Sequence, residues 1–395
     1  MSACAHAFQD LTLDGKMKKR TGKFQLSDRV FEPHEQDLIE KFLQFLARKY
    51  QFNLSDLEFT FQGIGVGLSK STKLLALSSE VYPYFIKISD VASIQKEVWN
   101  FNRATAKIPP LHIPPLETVI SSENERIRTD QNDGYALLAI RYITDTSKGE
   151  APKSLFEAFA RLDVYQSIGI IDEIFQVILR DLHAFHKLKE TDFRPYKHHT
   201  HNHAVFAQQK NATLNSMLER YDKLVAETRP LRLPHGNVHG DLHCENIIMN
   251  SRNMPLIIDF EMMRTDGCLI NDFAEFEISL TVAALDNDVE LYGKSVRDCY
   301  NSSTMFGFYG VDKIIQSIRT IRVNLTHMLF NVAKIEPTKE FISELDYTYR
   351  LVLLRYICSY TWVSLQSMNE KRNLVVVGVL ATIFDGIYSS IVQPT

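Results

Sequence analysis

Two short stretches of this chain contain the groups that phosphoryl transfer requires. His239-Gly240-Asp241-Leu242-His243-Cys244-Glu245-Asn246 sets an aspartate and an asparagine five positions apart. Leu256-Ile257-Ile258-Asp259-Phe260 follows, with a second aspartate at the end of an apolar run. Transfer of a phosphoryl group needs one carboxylate beside the attacking hydroxyl. It also needs an amide oxygen and a second carboxylate to hold magnesium against the nucleotide phosphates. Magnesium takes oxygen ligands, few of them from protein, and completes an octahedron with water and phosphate. On this reading Asp241 orients the hydroxyl and accepts its proton, while Asn246 and Asp259 bind the metal. Each pattern alone also occurs in ordinary turns, so the reading rests on their order and separation.

The amino-terminal half contains what could position a nucleotide. Phe61-Gln62-Gly63-Ile64-Gly65-Val66-Gly67-Leu68-Ser69-Lys70-Ser71 is glycine-rich and lies between two strand-like runs. Glycines let a backbone approach phosphates closely and adopt positive φ, so Gly65, Gly67 and Ser69 are candidates to cover them. A hairpin turn accounts for the same residues about as well. Tyr84-Phe85-Ile86-Lys87-Ile88 reads as an alternating strand with one lysine inside it. Such a lysine can hold the α- and β-phosphates. Ile94, Val98 and Phe101 share one face of a following helix, and Glu97 on that helix is the natural ion-pair partner for Lys87. Glycine run, lysine strand and glutamate helix arrive in the order a nucleotide site needs.

The run HGDLHCENIIM, followed by PLIIDFE, resembles the Brenner-type motif and metal-site strand of the aminoglycoside phosphotransferase and choline kinase superfamily. Members typically read HGDLHxxN and then IDF or IDW. Leu269-Ile270-Asn271-Asp272-Phe273-Ala274-Glu275-Phe276-Glu277 resembles the start of the next helix there, and it looks most like the "ternary complex associated domain" branch of bacterial phosphotransferase-like proteins. The resemblance implies an α+β, bilobal protein-kinase-like fold, with a small antiparallel-sheet lobe and a mostly helical large lobe. It implies ATP and Mg2+ as cofactors, with backbone groups from Arg141 to Ile143 meeting adenine. It makes His239 and Asp272 braces of the catalytic loop, and leaves Glu261 either supporting the metal site or facing substrate.

Hydrophobic periodicity places these motifs on elements. Residues 1–50 read as an extension carrying an amphipathic helix, Pro33–Tyr50, with Leu38, Phe42, Leu43 and Leu46 on one side. The basic run Lys16-Met17-Lys18-Lys19-Arg20 has no apolar face and reads as a mobile segment. Residues 51–143 form the nucleotide-binding lobe, with a polar loop over 121–134 and a buried strand over 135–143. The turn-like 144–149 marks the boundary, and 144–395 is the helical, substrate-binding lobe. There Ile170, Ile174, Ile178, Leu182 and Phe185 predict one helix running through His186. The apolar run 374–384 stops at Asp385, short of the ~20 residues that span a bilayer, and reads as a buried helix. His198, His199, His201 and His203 look like a metal clip, but no cysteine or acid stands at structural-zinc spacing, which favours a solvated loop.

Composition limits the partners. Net charge is −4 with no concentrated basic domain, which argues against nucleic acid. Five cysteines without a CxxC pair suit a reducing compartment. The first residues have neither a basic start nor a long apolar core, so no signal peptide is expected and the cytoplasm is the expected location. The expected activity is ATP-dependent phosphorylation of a hydroxyl on a small molecule, because the stretch from Asp259 to Asp272 leaves little room for a peptide-docking loop. Two alternatives stay open: a nucleotide-binding signalling module with a protein partner, and a kinase of protein side chains.

Overall fold

The computed structural model describes residues 8–11, 17–20, 24–26, 31–53, 59–63, 71–78, 81–121, 134–141, 153–191, 211–250, 252–301, 310–366 and 370–392. The chain forms two compact units. The first takes residues 1–105, 110–153 and 249–261; the second takes 106–109, 154–248 and 262–395. The linear boundary expected near residue 143 therefore misses the return of 249–261 to the first unit, which brings Asp259 with it.

In the first unit a hairpin pairs β1 (Phe8–Leu11) with β2 (Met17–Arg20). The basic run expected to be mobile is thus largely strand. The main sheet has six strands: β3 (Phe24–Leu26), β4 (Phe59–Gly63), β5 (Thr72–Leu77), β6 (Tyr84–Asp90), β7 (Leu116–Ser121) and β8 (Tyr135–Arg141). Their spatial order is β3-β4-β5-β6-β8-β7. All neighbours run antiparallel except β3, which lies parallel to β4. Side chains alternate between faces along a strand. Tyr84, Ile86 and Ile88 of β6 accordingly enter one core with Leu74, Ala76, Leu137 and Ala139. Phe85 and Lys87 take the other face.

That core is closed by α1 (Pro33–Tyr50), whose bounds match the sequence expectation. Pro33 opens the helix at its first turn, where a missing N–H costs nothing. The Glu32 amide donates to Glu35 Oε2 at 3.0 Å. Gln51, at φ 57°, ends the helix in the left-handed region. Leu38, Phe42 and Leu46 are fully buried on one face and pack with Phe59, Phe61 and Tyr84. A second helix, α2 (Val91–Thr105), buries Ile94, Glu97, Asn100, Phe101 and Ala104.

The second unit is mostly helical. Its longest helices are Ile270–Asn287, Lys339–Gln366 and Glu370–Val392. An antiparallel sheet of Phe185–Thr191, Leu231–Val238 and Arg264–Cys268 leads into the loop that carries Asp241 and Asn246. The single helix expected through His186 is corrected here. The helix Val164–Asp172 widens into π-helical turns over Glu173–Ile178 and ends, and Phe185 begins a strand opposite Gly236. Ile170, Ile174, Ile178 and Leu182 are buried as the periodicity indicates, but pairing with Leu231–Val238 captures the backbone beyond them. The apolar stretch at the end is also longer than expected. Residues Leu374–Val392 are long and apolar enough to cross a membrane by length and composition. Yet Leu380, Ile383, Phe384 and Ile387 are fully buried in this unit, and Asp385 within the stretch pairs with Arg220.

Because α1 covers the sheet, it should behave as core. Phe42→Ala is expected to cost about 3–5 kcal/mol of unfolding free energy, the usual range for removing a buried aromatic ring. Urea denaturation measures this, and a loss below about 1 kcal/mol would mean that α1 is a detachable appendage.

Candidate active-site residues

In the first unit, β6 delivers Lys87 to a ring of carboxylates. Its Nζ lies 2.8 Å from Asp259 Oδ1, 2.8 Å from Glu261 Oε2 and 2.8 Å from Glu97 Oε2. The contacts to Asp259 and Glu261 are hydrogen bonds, whereas Glu97 meets the ammonium as an ion pair outside hydrogen-bond geometry. Lys73 Nζ sits 2.5 Å from Asp259 Oδ2. One aspartate therefore bridges two lysines that face each other across β5 and β6. Burial alone would strip charge from Lys87, but Asp259, Glu97 and Glu261 together hold its pKa above the ordinary lysine value. Burial raises the Asp259 carboxyl, and Lys73 and Lys87 overcome that and hold it well below the usual range. Glu97 is raised, by burial first and then by the charge of Asp259.

The backbone around Asp259 is fixed from α2. Asn100 Nδ2 donates to the carbonyls of Phe260 at 2.9 Å and Glu261 at 3.2 Å. The Phe101 ring meets Phe260 edge-on, with centroids 5.9 Å apart. Asp259 itself has φ 63°, a left-handed conformation that aspartate tolerates better than most residues. Carboxylate oxygens of Glu97, Asp259 and Glu261 lie within 4.8 Å of one another. Such oxygens are the donors a hard divalent cation takes, so Asp259 fits magnesium, while the Lys87 ammonium occupies the space between Asp259, Glu97 and Glu261.

In the second unit, the catalytic-loop residues hang from one helix, Ile270–Asn287. Asp272 Oδ2 accepts the His239 amide at 2.6 Å, and Oδ1 accepts the Gly240 amide at 2.9 Å. His183 Nε2 donates to the same carboxylate at 2.9 Å. Two turns on, Ser279 Oγ accepts the Cys244 amide at 3.0 Å and lies 3.2 Å from its Sγ. Gly240 has φ +82°, and a Cβ there would stand 2.3 Å from the Met262 carbonyl oxygen, so both backbone and space demand glycine. The loop thus holds Asp241 with its side chain about one third exposed. Asn246 Nδ2 donates to Asp241 Oδ2 at 3.2 Å and to its carbonyl at 2.9 Å. This leaves the amide oxygen as the lone-pair donor that a metal could use.

His243 Nε2 lies 3.6 Å from Asp241 Oδ2. Burial opposes its protonation, but Asp241, Glu245 and Glu275 raise its pKa to about 9. Glu275 is raised to about 8, chiefly by burial and then by Asp241. Cys244 is fully buried and its thiol is pushed up to about 12, mainly by burial.

The structure brings Lys87, Glu97 and Asp259 together in one unit, and Asp241 with Asn246 in the other. Arg141 joins neither group. Its amide donates to the Pro115 carbonyl, and its guanidinium lies 3.4 Å from the Tyr50 hydroxyl and 3.8 Å from Glu117, bracing β8 against α1. Gly65, Gly67, Ser69, Ile143 and the histidines over 198–203 lie outside the described residues. Asp272 does brace the loop, and His239 takes part through its backbone amide. The sequence reading missed Lys73, His243 and Glu275. Lys73 acquires its place only from strand register, which sets it opposite Lys87.

Residues 186–293 match the family model "Ternary complex associated domain 9", a span that contains Asp241, Asn246 and Asp259. No curated protein matches the chain. Among solved structures, the chain is similar to a thermostable mutant of the aminoglycoside phosphotransferase APH(4)-Ia, at 11% identity, covering 89% of this chain and 99% of that one, with a TM-score of 0.45. It is similar to the choline kinase LicA from Streptococcus pneumoniae at 16% identity, covering 86% and 99%, with a TM-score of 0.44. It is also similar to a Plasmodium vivax ethanolamine kinase at 13% identity, covering 91% and 90%, with a TM-score of 0.46.

Two predictions follow from the charges. Lys87→Met leaves two buried carboxylates and the half-buried Glu261 without their central cation and should cost about 3–5 kcal/mol of stability, measured by urea denaturation. A change under about 1 kcal/mol would mean that the ring relaxes freely. Because folding raises the His243 pKa from 6.5 to about 9, its contribution is full below pH 6.5 and lost as pH rises through about 9. The stability gap between wild type and His243→Gln should therefore shrink between pH 6 and pH 10. A gap independent of pH would show that His243 is neutral in the folded protein.

Proposed function

We propose that this chain transfers the γ-phosphate of ATP to a hydroxyl group of a small molecule. The observation that carries this reading is Asp241. It is a partly exposed carboxylate, held by the Asn246 amide, on a loop whose backbone is locked by Asp272. A group so placed can orient a hydroxyl and take its proton. Lys87 supplies positive charge for the nucleotide phosphates, and Glu97 keeps that lysine in place. Asp259 would offer Mg2+ a carboxylate oxygen, with Glu261 supporting Asp259 through Lys87, and Asn246 offers an amide oxygen, also a donor that Mg2+ takes. The metal would neutralise charge on the phosphates. The transition state is loose, so most of the rate comes from positioning and electrostatics, with proton acceptance by Asp241 a smaller part.

A small acceptor agrees with the short span from Asp259 to Asp272, which holds only the strand Arg264–Cys268 before the next helix begins at Ile270. Four buried cysteines, Cys244, Cys268, Cys299 and Cys358, are free thiols, which supports a reducing, cytoplasmic setting.

The test is a comparison of wild type with Asp241→Asn. Affinity for Mg·ATP should stay nearly unchanged, because Asp241 serves the acceptor. Turnover of ATP, with or without acceptor, should fall about 10²–10⁴-fold. Equal turnover in the two proteins would favour a nucleotide-binding module over an enzyme.

A further inference from the structure

Lys73 and Lys87 stand directly opposite each other on antiparallel strands. Like charges so placed repel, and a shared counter-ion must offset them. Here that counter-ion is Asp259, with Lys87 on Oδ1 and Lys73 on Oδ2. Both oxygens of the carboxylate expected to face a metal are therefore engaged by ammonium groups. For Asp259 to give an oxygen to a cation, the cation must take a remaining lone pair beside an ammonium that it repels.

The two lysines differ in exposure. Lys87 is 1% exposed and is also gripped by Glu97 and Glu261. Lys73 is 17% exposed and is the second residue of β5, directly after the glycine-rich run ending at Ser71. The charges give the direction of movement. Two ammonium groups face three carboxylates, Glu97, Asp259 and Glu261. A divalent cation arriving at these oxygens repels both ammonium groups, and a polyphosphate arriving with it offers the more exposed one, Lys73, a new partner.

We infer that Lys73 is an exchangeable counter-ion: it holds Asp259 until a metal–nucleotide complex binds, then transfers to the nucleotide's phosphates. This rests on the proposed function. The exchange makes Lys73 a competitor of the metal alone and an ally of the metal–nucleotide complex. It therefore couples the two ligands, and a coupling of this kind is ordinarily worth about 5–150-fold in affinity.

The test is calorimetric titration of the full chain with Mn2+ alone and with Mg·ADP. Lys73→Met is expected to bind Mn2+ about fivefold tighter or more, and Mg·ADP about fivefold weaker or more. Lys73→Arg, which keeps the charge, should leave Mn2+ binding as weak as in wild type. If Lys73→Met does not fold, Lys73→Gln tests the same pair of opposite signs. Losses of both affinities together, or no change in either, overturn the exchange. A wild type that binds neither Mn2+ nor Mg·ADP overturns the proposed function as well. A wild type that binds Mg·ADP normally, with Mn2+ affinity unmoved by Lys73→Met, overturns the exchange alone.

Discussion

A buried ammonium group governs the first unit. Taking a lysine head out of water costs several kcal/mol unless opposite charges surround it. Lys87 meets that requirement with three carboxylates, and two of them, Asp259 and Glu261, lie more than 170 positions later in the chain. The unit cannot settle its own interior until the segment Met249–Glu261 returns to it. The motif that reads as a metal strand is thus also a structural plug. This explains why Asn100 spends its side chain on the Phe260 and Glu261 carbonyls: the plug's backbone must be held as firmly as its charges.

The second unit uses a buried acid differently. Among the described residues Asp272 pairs with no lysine. Its two oxygens accept two consecutive backbone amides and one imidazole, converting a loop into a rigid bracket. Orphaned amides in a tight turn would otherwise carry a desolvation cost. Asp272 and Ser279 share one helical face two turns apart, so one helix sets the loop's pitch at both ends. The left-handed Gly240 lets the chain turn sharply between them.

Much of this was legible beforehand, and the reason differs by residue. Asp241, Asn246 and Asp259 stand out because the chemistry proposed for them requires fixed types at fixed spacing. Lys87 with Glu97 was readable because one lies on an alternating strand and the other on the next helix. The helix Pro33–Tyr50 followed from its apolar stripe. Lys73 was hidden because its meaning lies in strand register, and register depends on a turn that composition does not define. Glu275 was hidden because burial, not its neighbours in sequence, gives it its altered acidity. The helix expected through His186 failed because strand pairing with Leu231–Val238 overrode a helical period that was real up to Ile178.

Cys244 sits within the bracket formed by Asp272 and Ser279. Its thiol is fully buried and its acidity is suppressed by that burial, so alkylating reagents meet almost no thiolate in the closed loop. Any labelling of this residue therefore waits for the loop to come away from its helix. The cysteine between Asp241 and Asn246 thus acts as a built-in clock for local unfolding of that loop: its modification rate, read by mass spectrometry under native conditions, reports how often this part of the protein opens.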